Sequence, residues 1–243
     1  MVEVLFVGTG DAFGSGGRRN SAVLLRERNH TLLLDCGPST LLGLKELGVD
    51  PLEIDAVAIS HFHGDHVAGL PFLMLDYIYE NRRERDLRIL GPPGIQARIE
   101  LVARSFEYPS EDWPFPVSFS EFDCNAVFSD EAFKLRPFPA LHQPETCPHM
   151  MRVETGGKAI FFSGDTGWHE ELPERVGEVD LFICESTLLD DDFEYHLSCS
   201  RLQRERQRFD CRRMLLTHLG SEVLDNLEQV GFDITHDGLS LRV

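Results

Sequence analysis

The sequence predicts an α/β fold in which two β-sheets pack face to face and helices cover their outer sides. Three observations lead there. Apolar runs of strand length are joined first by short turns and later by helix-like stretches, a mixed count that differs from the regular alternation of a doubly wound sheet. The Gly-rich stretch GTGDAFGSGG contains GxG but leads into another strand-like run, SAVLL; a dinucleotide fingerprint needs a helix there, so that reading is rejected. The residues that carry chemistry stand just past the ends of apolar runs, where layered α/β proteins collect their ligands.

The elements follow in order. Strands are expected at residues 2–8, 21–26, 30–35, 55–60, 87–90, 117–122, 132–139, 149–154, 158–162, 179–184, 212–216 and 239–242. The stretch STLLGLKELG reads as a helix with Ser39 as N-cap and Gly48 as stop. GIQARIELVARSF carries an apolar stripe at helical spacing, and SEVLDNLEQVG reads as a helix from Ser221 to Gly231. At 243 residues without a Pro/Ser-rich or low-complexity linker, the chain is expected to form one domain, residues 1–243.

Composition points to a soluble cytoplasmic enzyme. The opening run MVEVLFVGTG is too short for a membrane span or a signal-peptide core. The six cysteines, Cys36, Cys124, Cys147, Cys184, Cys199 and Cys211, contain no CxxC pair, which argues against a zinc ribbon or a disulfide framework and for reduced thiols. Cys147 and His149 are read as structural. A net charge of −18, from 41 acids against 23 bases, opposes a polyanionic partner, since nucleic-acid affinity comes largely from Lys and Arg on phosphates. The runs NRRERDLR and RLQRERQRFDCRR alternate basic with acidic residues and read as solvated helix faces.

The most informative string is HFHGDH. Imidazole suits borderline transition metals and carboxylate adds hard-cation character, so His61, His63, Asp65 and His66 form a metal-binding pattern. Residues two apart in extended chain point the same way, so His61 and His63 can share one ion while Asp65 and His66 face a second. Further donors follow apolar runs at His142, Asp165 and His218. His61, His63 and His142 would hold the first ion, Asp65, His66 and His218 the second, and Asp165 would bridge. Two divalent metal ions are therefore expected, zinc by default for five His and two Asp, with manganese or iron also fitting.

The ordered segments GTGDAFGSGGRRNS, LLLDCG, HFHGDH, ALHQPET, FFSGDTGW and LLTHLG resemble the successive motifs of the metallo-β-lactamase-fold hydrolases, over essentially the whole chain. The resemblance implies a four-layer αβ/βα sandwich. Within that superfamily the opening GTG and the absence of Cys among the expected ligands resemble the phosphodiesterase branch, which includes ribonuclease Z and a cyclic-ribose-phosphate phosphodiesterase. In ribonuclease Z a His in a segment comparable to EYHLS donates a proton to the leaving group; this implies that role for His196, although HLS stands here where the relatives read HST. Ribonuclease Z also inserts a transfer-RNA-gripping arm between its third-His and GDTG-type segments. Only 22 residues separate His142 from Asp165, too few for an arm, so transfer RNA is not expected as a partner. Asp35 resembles the acid that orients a metal-bound imidazole, and Asp11 is a second candidate for that role, each with a turn cap as its alternative.

The expected chemistry is hydrolysis by a water activated between two ions, with Asp65 taking or relaying its proton and His196 protonating the leaving oxygen. A small or cyclic phosphodiester is the favoured substrate, an anionic small molecule. A lactone or thioester hydrolase on the same site is the alternative, and a non-catalytic metal-bound sensor or scaffold is a third. Arg18, Arg19 and Asn20 either meet a substrate anion or are solvated loop residues. Tyr108, Trp113 and Phe115 read as an apolar lip, a homodimer contact or ordinary packing. Phe72, Leu73 and Tyr77 are candidates for a lid.

Overall fold

The structure, a computed structural model, describes residues 1–123, 126–190 and 193–243. Cys124 lies outside them. The first sheet is built from β1 (Glu3–Gly8), β2 (Ala22–Glu27), β3 (His30–Leu34), β4 (Ala56–Ala58), β5 (Leu87–Gly91) and β6 (Val117–Glu121), with the C-terminal β14 (Ser240–Arg242) on its edge. Its order is β14-β1-β2-β3-β4-β5-β6. The second contains β7 (Phe128–Ser129), β8 (Phe133–Pro139), β9 (His149–Thr155), β10 (Lys158–Phe162), β11 (Val179–Glu185), β12 (Cys211–Thr217) and β13 (Asp233–Ile234), in the order β13-β12-β11-β10-β9-β8-β7. Each sheet is antiparallel where short turns join its strands and parallel where helices intervene, because a parallel crossover needs a long connection.

Alternation along the strands sorts the core into layers. Val4 and Phe6 of β1, Leu32 and Leu34 of β3, Ile160 and Phe162 of β10 and Leu181 and Ile183 of β11 share one cluster between the sheets. Their neighbours Leu5, Val7 and Leu33 face outward against α1 (Thr40–Glu46), α3 (Leu70–Leu75) and α4 (Ile95–Ser105). On the other side, Phe161, Phe182 and Leu216 meet α5 (Leu172–Val176), α6 (Cys199–Glu205), α7 (Ser221–Asp225) and α8 (Leu227–Val230). The result is the expected four-layer αβ/βα sandwich.

All twelve expected strands are present, with ends shifted by up to two residues. The expected 55–60 strand narrows to β4, and β7 and β13 are too short for periodicity to reveal. The helix expected through residue 231 breaks at Asn226, whose φ of −133° is not helical. Gly48 does stop α1 with φ +67°, but Ser39 does not cap it. The Ser39 hydroxyl instead accepts from the Asn20 backbone N–H at 2.8 Å and donates to Asn20 Oδ1, pinning the Gly-rich loop. NRRERDLR is not a solvated helix face: it leads into β5, and Arg83 is buried, donating to the carbonyls of Arg85 and Asp86. Tyr108, Trp113 and Phe115 pack in the outer layer of the first sheet. The Tyr108 hydroxyl donates to Pro71 O, the Trp113 indole to Tyr108 O, and Phe115 meets Tyr77 edge-on. Leu73 and Tyr77 are buried in that same cluster, so neither forms a lid; Phe72 is half-exposed beside Phe106.

Candidate metal centre

Four strand ends converge on one site. Past β4 the chain stays extended, so His61 and His63 project together, and α2 (Gly64–Val67) then turns Asp65 and His66 alongside them. Close backbone approach makes this turn possible. A Cβ on Gly37 would lie 2.2 Å from Asp65 O, and one on Gly69 would lie 1.9 Å from Gly37 O. His142 follows β8, Asp165 follows β10 and His218 follows β12. Asp35 and His218 both hold left-handed backbone, φ +58° and +55°, which costs an L-residue about 1–2 kcal/mol and persists only where surrounding contacts enforce it.

The structure brings all seven expected donors together, in two groups that share Asp165. In the first, His61 Nε2 and His142 Nε2 lie 3.1 and 3.0 Å from His63 Nδ1, and 3.7 and 3.9 Å from Asp165 Oδ2. In the second, Asp65 Oδ2 lies 3.2 Å from both His66 Nε2 and His218 Nε2. Asp165 reaches those imidazoles at 3.3 and 3.5 Å. Within each group the candidate donor atoms lie within 4.8 Å of one another.

The opposite side of each imidazole meets an oxygen. His61 Nδ1 lies 3.0 Å from Ser60 Oγ, His63 Nε2 3.0 Å from Gln143 Oε1, and His66 Nδ1 2.7 Å from Asp35 Oδ2. His142 Nδ1 lies 2.8 Å from Tyr195 O and His218 Nδ1 2.9 Å from Thr187 Oγ1. Carbonyl and carboxylate oxygens only accept, so His63, His66 and His142 donate outward. The Ser60 and Thr187 hydroxyls donate to Asp35 and Glu185, leaving their lone pairs for His61 and His218. With its proton turned outward, each neutral ring presents a lone pair to the centre, the tautomer a metal ligand requires.

Electrostatics agree. Asp35, Asp65, Asp165 and Glu185 are deeply set, and their ion-pair partners among the described residues are all imidazoles. Burial opposes a proton on His66, yet the Asp165, Asp35 and Asp65 charges outweigh it and raise its pKa well above the ordinary value. Burial would also raise Asp165, but His218, His66 and His61 hold it well below the usual carboxylate range. Desolvation and neighbouring imidazoles keep His61 well below its ordinary value. Two buried atoms facing the centre, His66 Nε2 and Asp165 Oδ1, make no hydrogen bond of acceptable geometry. Concentrated carboxylate charge, ring nitrogens turned inward and unsatisfied inward atoms fit divalent cations, which would replace the proton that these carboxylates otherwise hold on His66.

Residues 30–219 match the beta-lactamase superfamily domain. The chain belongs to the beta-lactamase superfamily. Its similarity to ribonuclease Z of Anoxybacillus flavithermus is 35% identity, covering 90% of this chain and 87% of that protein. With ribonuclease Z of Metallosphaera sedula it is 33%, covering 95% and 92%. In fold the chain resembles the metallo-beta-lactamase fold protein YhfI from Bacillus subtilis (TM-score 0.84, 22% identity, all of both chains covered). It also resembles the short form of human tRNase Z (TM-score 0.81, 24% identity, 99% of both chains covered).

Beside this cluster stands His196. Its Nδ1 lies 2.8 Å from Glu185 Oε1 and 3.2 Å from Thr187 Oγ1, and its ring centre is 4.9 Å from that of His142. Burial opposes its charged form, but the Glu185 charge and hydrogen bond prevail and lift its pKa to about 9. Glu185, fully buried, also accepts from the Thr166 and Thr187 backbone N–H groups. Sequence reasoning passed over Glu185. The signal was there, because LFICE ends an apolar run on an acid as TLLLD does at Asp35.

Asp35 stands where an orienting acid is expected. Asp11 does not: it accepts from Phe13 N, Ser15 N and Ser15 Oγ, closing the Gly-rich loop as a turn cap. Arg18, Arg19 and Asn20 are not merely solvated but are held within the chain. Arg18 donates to Thr9 Oγ1 and Thr235 O, Arg19 to Val7 O and Glu46, and Asn20 to Asp11 O. Cys147 and His149 belong to neither donor group; His149 Nδ1 meets Cys147 O at 2.8 Å. Among the described residues, no helix is long and apolar enough to cross a membrane.

Proposed function

We propose that the chain is a dinuclear metal-dependent phosphodiesterase acting on a small or cyclic phosphodiester. The observation that carries this reading is the pair of four-donor groups sharing Asp165, with the Glu185–His196 pair alongside. His61, His63, His142 and Asp165 would hold one ion, and Asp65, His66, His218 and Asp165 the other. Divalent ions, zinc by default, supply Lewis acidity and an activated water when bound.

The rest is the work of the chain's own side chains. Water adds across one P–O bond: its oxygen bonds to phosphorus, one of its protons leaves through Asp65 to solvent, the bond to the leaving oxygen breaks, and that oxygen takes the proton held on His196, which solvent then replaces. Glu185 keeps the imidazole protonated and aimed. Burial favours protonation of Asp65, but His66 and hydrogen bonds from His218 and His66 hold its pKa far below the usual range. That suits a ligand and a transient relay better than a lasting proton store. Asp35, Ser60, Gln143, Tyr195 O and Thr187 fix the ring orientations.

The segment between His142 and Asp165 consists of a short turn, β9 and β10 without further insertion, and the net charge is −18. Both favour a small anionic substrate over transfer RNA. Cys36, Cys147, Cys184, Cys199 and Cys211 are free, which suits a reducing cytoplasm.

The test joins elemental analysis to hydrolysis of bis(p-nitrophenyl) phosphate, with and without zinc or manganese, for the wild-type chain and His196→Ala. About two metals per chain, metal-dependent turnover and a loss of ~10²-fold or more in His196→Ala are expected. Two metals without turnover would redirect the reading to lactones and thioesters. Phosphodiester cleavage unchanged in His196→Ala would remove the donor role.

A further inference from the structure

A pocket of about 290 Å³ adjoins the metal centre through His196, which lines it with Leu141, Trp168, Phe193, Leu197 and Arg201. It is made from the segments that form the centre: Leu141 precedes His142, Trp168 is three residues past Asp165, and Phe193 lies on the turn that carries His196. That turn is locked in place. The Gly167 N–H donates to Leu141 O at 2.7 Å, and a Cβ on Gly167 would lie 1.8 Å from Glu194 O. The pocket therefore keeps a fixed position relative to the reacting groups.

Half of its lining is apolar, with the Trp168 and Phe193 rings beside Leu141 and Leu197, and half is polar. The Phe193 ring lies within 18° of parallel to the His196 ring, with centres 6.1 Å apart, and is 51% exposed. The Arg201 guanidinium sits 5.7 Å from the Trp168 ring centre. Flat aromatic surface left facing water beside a reactive histidine gains free energy when another ring covers it. Arg201 on the wall is already paired with Glu205 at 3.4 Å, and the other charged side chain on the lining besides His196, Glu194, is an acid, which matches a neutral ring rather than a second phosphate. The volume lies at the small end for ligand sites, roughly 300 Å³ upward, enough for one ring system and not for a nucleotide chain.

We propose that this pocket receives the leaving group of the substrate and selects a flat, neutral aromatic or heterocyclic one over an alkyl one, with Trp168 and Phe193 as the specificity-determining residues. This rests on the phosphodiesterase reading above, in which His196 protonates the leaving oxygen: the group attached to that oxygen must lie where His196 is reached, and His196 lines this pocket.

Two measurements on the metal-loaded chain test it. The first compares kcat/KM for methyl phosphodiesters carrying a phenyl or a hexafluoroisopropyl leaving group, which are similar in acidity. The phenyl diester is expected to be favoured about tenfold, and Phe193→Ala and Trp168→Leu to lower that ratio toward one with metal content unchanged. A ratio unaffected by either substitution overturns the proposal. The second measurement does not depend on turnover. The chain has two tryptophans, Trp113 and Trp168, so Trp168 alone reports in Trp113→Phe. Titration with 4-nitrobenzyl alcohol is expected to quench it saturably, and Phe193→Ala to weaken that quenching. Quenching without cleavage of either diester supports the pocket and removes the phosphodiesterase reading. Cleavage of both diesters without saturable quenching overturns the pocket and leaves that reading standing.

Discussion

His142 turns its Nδ1 toward the backbone carbonyl oxygen of Tyr195, 2.8 Å away and 53 residues along the chain. That hydrogen bond couples the first donor group to the turn that carries His196. The same turn rests on Gly167, the last residue of the GDTG string, so one contact chain links Asp165, His142 and His196.

Gly167→Ala tests the coupling. Its methyl group would be driven into Glu194 O, and the turn must move, since a backbone atom cannot yield as a flexible side-chain tip can. Expected are a loss of stability of about 1–3 kcal/mol and a larger loss of activity than that destabilisation explains, with the first metal bound more weakly. Chemical denaturation and metal titration of the same preparation check this. Wild-type metal affinity and turnover in the variant would show that the turn does not govern the site.

Asp165→Ala removes the carboxylate common to both donor groups. Fewer than two tightly bound metals and turnover reduced to background are expected, as read by elemental analysis after gel filtration. Two metals at full occupancy would overturn the bridging assignment.

Asp35→Asn keeps the size of the side chain and its tolerance of left-handed backbone but removes the charge facing His66 Nδ1. Metal affinity at the second group should fall about 10–100-fold, the usual effect of losing a partner that orients a ligand. Competition with a chelating dye measures it.

In the metal-free chain, the Glu185–His196 pair gives a pH signature. The folded-state pKa of His196, about 9, is raised above its ordinary 6.5. The pair's contribution to stability is therefore complete below about 6.5 and lost as pH rises through about 9. NMR titration of the imidazole should show the high midpoint. Glu185→Gln should bring it down, to or below the ordinary value, because burial then acts with much less opposition. A midpoint near the ordinary value in the wild-type chain would dissolve the assigned pairing.

Metal binding to the folded chain should also raise its unfolding temperature. Saturation at 100 times Kd contributes about 2.7 kcal/mol per site. The increase should scale with the logarithm of free zinc and be much smaller in Asp165→Ala, as thermal unfolding at several buffered zinc concentrations would reveal.

Local sequence carried much of this protein. Strand runs, the HFHGDH string and the placing of His142, Asp165 and His218 after apolar runs were readable because period-2 alternation and donor chemistry are properties of neighbouring residues. Tertiary structure decided what depends on distant contacts. Asp35 and Glu185 end apolar runs alike, yet only folding sets one against His66 and the other against His196. Ser39 has the sequence signature of a helix cap, but the adjoining Gly-rich loop claims its hydroxyl; Arg18 and Arg19 look free to meet an anion, but nearby carbonyls and Glu46 hold them. The physical reason is the same in each case: a side chain's chemistry is written in its own residue, whereas its hydrogen-bond partner is chosen by whichever segment packing brings within about 3 Å.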